Sequence, residues 1–85
     1  MLILRLPETK KEFGYRADAS IYNAIRAGLF PKGVAIGQRA KGWPADEVRA
    51  IAAARIAGKT DEEIRELVKA LHAKRAELFK QFAAV

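Results

Sequence analysis

A chain of 85 residues is enough for one small domain, and its 51% hydrophobic share excludes a disordered tail, although seventeen alanines keep the stock of bulky core residues modest. The lack of cysteine excludes a disulfide framework and a thiolate metal site, and no apolar run approaches the roughly 18–20 residues that span a bilayer. The net charge of +6 is unevenly placed: residues 1–44 hold eight Lys or Arg against three acids, whereas residues 45–85 hold eight against seven, an asymmetry expected of a nucleic-acid-facing half on a near-neutral support.

Five elements are expected in chain order. Met1-Leu2-Ile3-Leu4-Arg5 has no basic region ahead of its apolar stretch. No secretory leader is therefore expected, and a cytoplasmic location is. Pro7 suits the first position of a helix because its missing N–H has no partner to lose there. That helix runs to Phe13 and stops at Gly14, with Leu6 and Phe13 toward the core and Lys10 and Lys11 toward water or a phosphate backbone. After the turn Tyr15-Arg16-Ala17, Asp18 or Ser20 offers a side-chain oxygen as a cap. The second helix, within 18–28, places Ile21, Ala24 and Ile25 on one face at i, i+3, i+4. Ser20, Asn23, Arg26 and Ala27 are left outside. Gly28 is positioned to take the left-handed cap conformation, with Leu29 folding back toward Ala24.

A hairpin is expected within 32–43, its strands drawn from Val34 to Trp43. A two-residue turn at Gly37-Gln38 puts Arg39 and Lys41 on the face of Val34 and Ile36. A three-residue loop, Gly37-Gln38-Arg39, instead pairs Ile36 with Ala40 and turns Lys41 outward with Ala35. One register step exchanges the two faces, so the longer loop separates apolar from charged groups better and is preferred. Trp43 is read as core where the hairpin meets the next helix rather than as a base-stacking residue. That helix spans roughly Pro44 to Ala57, with Val48, Ile51, Ala52 and Ile56 as its stripe and Gly58 as its stop. Thr60-Asp61-Glu62-Glu63 is a capping-box start for a last helix reaching about Phe82. Its broad face carries Ile64, Leu67, Val68, Leu71, Leu78, Phe79 and Phe82, interrupted by Arg75. Residues 1–58 are thus expected to form the core unit and residues 59–85 a supporting or self-associating helix of the same compact domain.

A short helix slender enough for a major groove, followed by a cationic hairpin, is the layout of a winged helix-turn-helix: mainly α with a small β-hairpin. Duplex DNA is the partner this implies. Asn23 and Arg26 lie one turn apart, with side chains suited to adenine N6/N7 and guanine O6/N7; outside such a frame they would be an ordinary solvated pair. Arg16 and Ser20 are candidates for backbone phosphates, Ser20 where helix amides also point. Tyr22 has either a phosphate or a packing role against the wing or first helix. Lys32 and Lys41 add sequence-independent attraction. Gln38 and Arg39, at the hairpin tip, are candidates for the minor groove or its flanking backbone. His72 has no second histidine or cysteine with which to complete a metal site, and reads as a helix-surface residue or minor contact. Asp61, Glu62, Glu63 and Glu66 read as helix-start and surface charges. No phosphate loop, nucleophile elbow or metal motif is present, so neither an enzyme nor a cofactor is expected.

The strings Leu6-Pro7-Glu8, Ser20-Ile21-Tyr22, Gly28-Leu29-Phe30-Pro31, Val34-Ala35-Ile36-Gly37-x-Arg39-Ala40-x-Gly42-Trp43 and Glu47-Val48 resemble the AlpA family of prophage and genomic-island regulators. Its relatives are the MerR-type winged helix-turn-helix proteins and phage excisionases. The similarity extends over about residues 5–75, its tail carried by Ala53 to Ile64. It implies a small phage- or island-encoded DNA-binding protein that activates an integrase gene or acts as a recombination directionality factor. A phage integrase is a further partner this suggests. The apolar end of the last helix, with Leu78, Phe79 and Phe82 as candidates for self-association, points by itself to a homodimer or array on DNA, or alternatively to a protein-interaction adaptor. Two features depart from the family pattern. The turn from Gly14 to Ala19 is a residue longer than usual, and Asn23 stands where many members carry a basic residue.

Overall fold

Ile3–Arg5, near the start of the chain, form a strand, an element not expected from the sequence. The computed structural model describes residues 2–83 and orders them as β1 (Ile3–Arg5), α1 (Leu6–Phe13), α2 (Asp18–Arg26), β2 (Val34–Gly37), β3 (Ala40–Pro44), α3 (Ala45–Ile56) and α4 (Asp61–Ala83). β3 lies centrally in a three-stranded antiparallel sheet, order β1-β3-β2, with Leu4 opposite Trp43 and Arg5 opposite Gly42. Strand β1 has only three residues, too few for alternation to announce it, and a partner nearly forty positions away supplies its hydrogen bonds. The N–H of Ala45 extends this pairing to the Leu2 carbonyl at 2.9 Å.

The two helices of the helix-turn-helix stop where their glycines allow. Gly14 takes φ 87°, and both its N–H and that of Tyr15 reach the Lys10 carbonyl. Gly28 takes φ 76°, its N–H bonding the Ile25 carbonyl while that of Leu29 bonds Ala24, so the expected fold-back is present. The expected side-chain cap of α2 is not. Ala17 occupies the cap position in extended geometry without a side-chain bond, because Asp18 and Ser20 are already inside the helix. The Asp18 carboxylate instead meets Lys10 Nζ at 2.6 Å and ties α2 to α1, so Lys10 is not simply a solvent-facing cation.

The hairpin keeps the preferred pairing at its base, Val34 with Gly42 and Ala35 with Lys41. Its tip corrects the three-residue loop. Gly37, not Ile36, stands opposite Ala40, leaving the two-residue turn Gln38-Arg39 and a β-bulge at Ile36. Beyond it, Pro44 ends β3 and precedes α3 as its cap instead of opening the helix.

Trp43 and Phe30 are wholly buried, and the core closes around them with Leu4, Ile21, Val48, Ile51, Ile64 and Val68. Trp43 is core as expected, its indole N–H donating to the Pro31 carbonyl at 2.9 Å. Phe13 and Tyr15 pack edge-on around Phe30 at ring separations of 5.2 and 6.2 Å. On α3 the buried face runs through Ala45, Val48 and Ile51 to half-buried Ala54. That three-residue spacing drifts round the helix, and Ile56, about 200° from Ala54 at 100° per residue, is 87% exposed rather than part of the stripe. The capping box of α4 is formed: Glu63 N–H donates to Thr60 Oγ1 at 3.2 Å, and Thr60 N–H to Glu63 Oε1 at 3.0 Å. The Thr60 N–H and the Thr60 hydroxyl, which donates to the same Oε1 at 3.1 Å, hold the Glu63 carboxyl below its ordinary pKa, with help from the Lys59 charge.

Candidate nucleic-acid interface

Helix α2 buries Ile21 and leaves Asn23 and Arg26 exposed one turn apart, where Arg26 Nη2 donates to Asn23 Oδ1. Arg16 is exposed ahead of the helix, and Ser20 is half-buried in its first turn. The half-buried Tyr22 ring meets Trp43 edge-on, centroids 6.5 Å apart, so of the two roles left open for it the packing against the wing is present. Its position also lets it line an open groove of about 380 Å³ together with Gln38, Arg39 and Lys41 of the wing and with Arg5. The fold thus brings four of the sequence-expected residues to one concavity. Asn23, Arg26, Arg16 and Ser20 lie outside it, on the α2 side.

Lys32 is placed differently. Its side chain is exposed, but its backbone is clamped to α4: the N–H donates to His72 Nε2 at 3.1 Å and the carbonyl accepts from Arg75 Nη2 at 2.9 Å. Arg65 completes the seam by donating from Nε to the Ala27 carbonyl at the end of α2, at 2.9 Å. Residues 65, 72 and 75 share one face of α4, so the segment leaving α2 is held at both ends. Burial, reinforced by the Arg75 and Lys32 charges, pushes the His72 pKa down from its ordinary 6.5, with Glu47 opposing. None of this seam was read from the sequence. Its one signal was Arg75, a lone cation within an otherwise apolar face.

The distribution of ion pairs sharpens the charge asymmetry. Among the described residues, Arg49, Arg55, Lys59, Arg65, Lys69 and Arg75 all pair with carboxylates, so most cations of the second half are neutralised locally. In the first half only Lys10 does. Arg5, Lys11, Arg16, Arg26, Lys32, Arg39 and Lys41 make no such pair among the described residues. No helix among them is long and apolar enough to cross a membrane.

Residues 2–56, from β1 through α3, match the family described as prophage CP4-57 regulatory protein (AlpA), and α4 lies outside the matched segment. The matched residues stop short of the 5–75 expected from the sequence resemblance. No curated protein and no solved structure matches the chain. With well over half of its length accounted for by that one match, and with a winged helix-turn-helix as its fold, the chain belongs to the AlpA family of prophage regulatory proteins.

Proposed function

We propose that this chain is a sequence-specific double-stranded DNA-binding protein, acting in the bacterial cytoplasm as a phage or genomic-island transcriptional regulator or as an excisionase in DNA recombination. In this reading α2 lies in the major groove, where Asn23 and Arg26 read base edges. Arg16, Ser20, Tyr22, Lys32 and Lys41 contact the backbone, and Gln38 and Arg39 reach the minor groove or its flanking backbone from the wing tip. The observation that carries the reading is that, among the described residues, every cation but Lys10 in the half that holds α2 and the wing is without an ion pair. Free cations release the counterions of a duplex, whereas cations already paired with carboxylates release fewer.

The test is binding to a selected duplex and to a scrambled one across a salt series. About five or six neutralised phosphates give a log–log salt slope near −5. Arg26→Ala is expected to cost about 1–3 kcal/mol on the selected duplex and little on the scrambled one, while Lys41→Ala weakens both alike. Equal losses on the two duplexes for Arg26→Ala overturn its base-reading role, and no affinity for any duplex at low salt overturns the whole reading.

A second reading, a protein-interaction or self-associating module, is favoured by one observation: Phe79 and Phe82 at the end of α4 are each 73% exposed. With half-buried Leu78 they continue the core-facing stripe of Ile64 and Val68 beyond the body of the domain. The readings are compatible if this end joins copies along DNA or contacts an integrase.

A further inference from the structure

We propose that the groove between the start of α1, Tyr22 and the wing seats a segment of phosphodiester backbone, with Arg5 as a phosphate-binding residue beside Arg39 and Lys41. This deepens, and rests on, the DNA-binding reading above. Arg5, Arg39 and Lys41 come from opposite ends of the sheet's chain order, and the fold brings all three to the lining of one open groove of about 380 Å³. None of its lining residues is Asp or Glu, and none of the three cations makes an ion pair among the described residues.

A second large concavity differs in its charge. The groove between α3 and α4 has Lys74 and Arg75 in its lining, but Asp46, Glu47 and Glu77 balance them. Concentrated like charge without a counter-charge leaves a positive potential that a polyanion relieves. The groups available also suit phosphate oxygens, which only accept hydrogen bonds: two guanidinium forks, an ammonium, the Tyr22 hydroxyl and the Gln38 amide.

Arg5 is well fixed for this role. Its backbone is paired to Gly42 in the sheet, and its carbonyl accepts from the buried Thr9 hydroxyl at 2.9 Å, while its side chain stays exposed. A cation mounted on a rigid strand loses less freedom on binding than one on a loop. Such a contact sets the depth and angle of the protein on the duplex and carries no base preference.

Fluorescence anisotropy of a short duplex with wild type, Arg5→Ala and Arg5→Lys, over a salt series, tests this. Arg5→Ala is expected to weaken selected and scrambled duplexes by the same factor, about 5- to 10-fold near 0.1 M salt, and to flatten the log–log salt slope by about one. Arg5→Lys keeps the slope. In a scan of duplexes each carrying one neutral methylphosphonate, one position is expected to weaken wild type but not Arg5→Ala, a coupling that a merely structural role would not produce. An unchanged slope in Arg5→Ala, with wild type still binding duplex, overturns the groove assignment alone. Failure of wild type to bind any duplex removes the DNA-binding reading and the groove assignment with it. Inorganic phosphate that displaces duplex more than chloride of equal ionic strength makes the groove a free-phosphate site and overturns the backbone assignment.

Discussion

The Arg75 guanidinium on α4 grips the Glu47 carboxylate on α3 with two hydrogen bonds, Nε to Oε2 at 2.9 Å and Nη2 to Oε1 at 2.5 Å, while Nη2 also reaches the Lys32 carbonyl at 2.9 Å. The carboxylate side chain is only 8% exposed, so this two-pronged geometry is what makes its burial tolerable. One side chain thereby joins α3, α4 and the segment that follows α2.

Removing one partner should therefore cost more than removing both. Arg75→Met, which strands the buried carboxylate, is expected to destabilise the protein by about 2–4 kcal/mol. Glu47→Met together with Arg75→Met should recover much of that loss. Urea unfolding of the two single variants and the double variant measures the coupling, and additive effects would mean that the pair contributes nothing as a unit.

Stability should depend on pH through His72. Its imidazole accepts the Lys32 N–H and has a pKa below the ordinary 6.5, so the unfolded chain binds the proton more readily than the fold. The stability contributed by the neutral ring is fully present above the unfolded pKa and is lost as pH falls below it toward the folded value. The gap in urea midpoint between about pH 7.5 and about pH 5.5 should be larger for wild type than for His72→Gln, whose amide oxygen accepts the same N–H without titrating. Equal gaps would remove His72 from the acid response.

Gly42 should not tolerate a side chain. A Cβ there would overlap Cγ2 of Ile3 and stand 3.3 Å from the Leu4 carbonyl oxygen, so β1 packs directly over the glycine. Gly42→Ala is expected to cost about 1–3 kcal/mol, and adding Ile3→Ala should return part of it by removing the overlapped methyl. Thermal melts of the single and double variants give the comparison. No recovery in the double variant would place the cost in the contacts with Ile36 Cδ1 and the Leu4 carbonyl instead.

The end of α4 should matter for association and not for folding. Phe79 and Phe82 are mostly exposed, so replacing both with Ser should leave the melting temperature within about 2 °C of wild type, as expected for surface positions outside the core. On DNA carrying several sites, gel-shift titration should lose its steepness while affinity for a single site is kept. Unchanged steepness would exclude this helix end from contacts between copies.

Much of the helical frame was legible because its signals are local. Gly14 and Gly28 end their helices as expected, Thr60 and Glu63 form the box their spacing implies, and Ile21 faces inward by the 3.6-residue period. Asn23 and Arg26 fall outside for the same reason. The hairpin was legible at its base, where Lys41 faces Ala35, but not at its tip. A one-residue bulge at Ile36 leaves no mark in a short strand that alternates weakly, so the choice between turn lengths rested on face separation alone.

What the sequence determined by itself is the glycine stops of α1, α2 and α3, the capping box of α4, the inward face of α2, the burial of Trp43 and the surplus of cations in the first half, since most of these depend on neighbours within a few positions or on composition. The tertiary structure alone decided which distant groups meet: β1 against β3, Arg75 against Glu47, Arg5 beside Arg39 and Lys41, and Ile56 turned to solvent. These depend on contacts between residues tens of positions apart, and such pairings are fixed by how the elements close over a shared core, which no short window of sequence records.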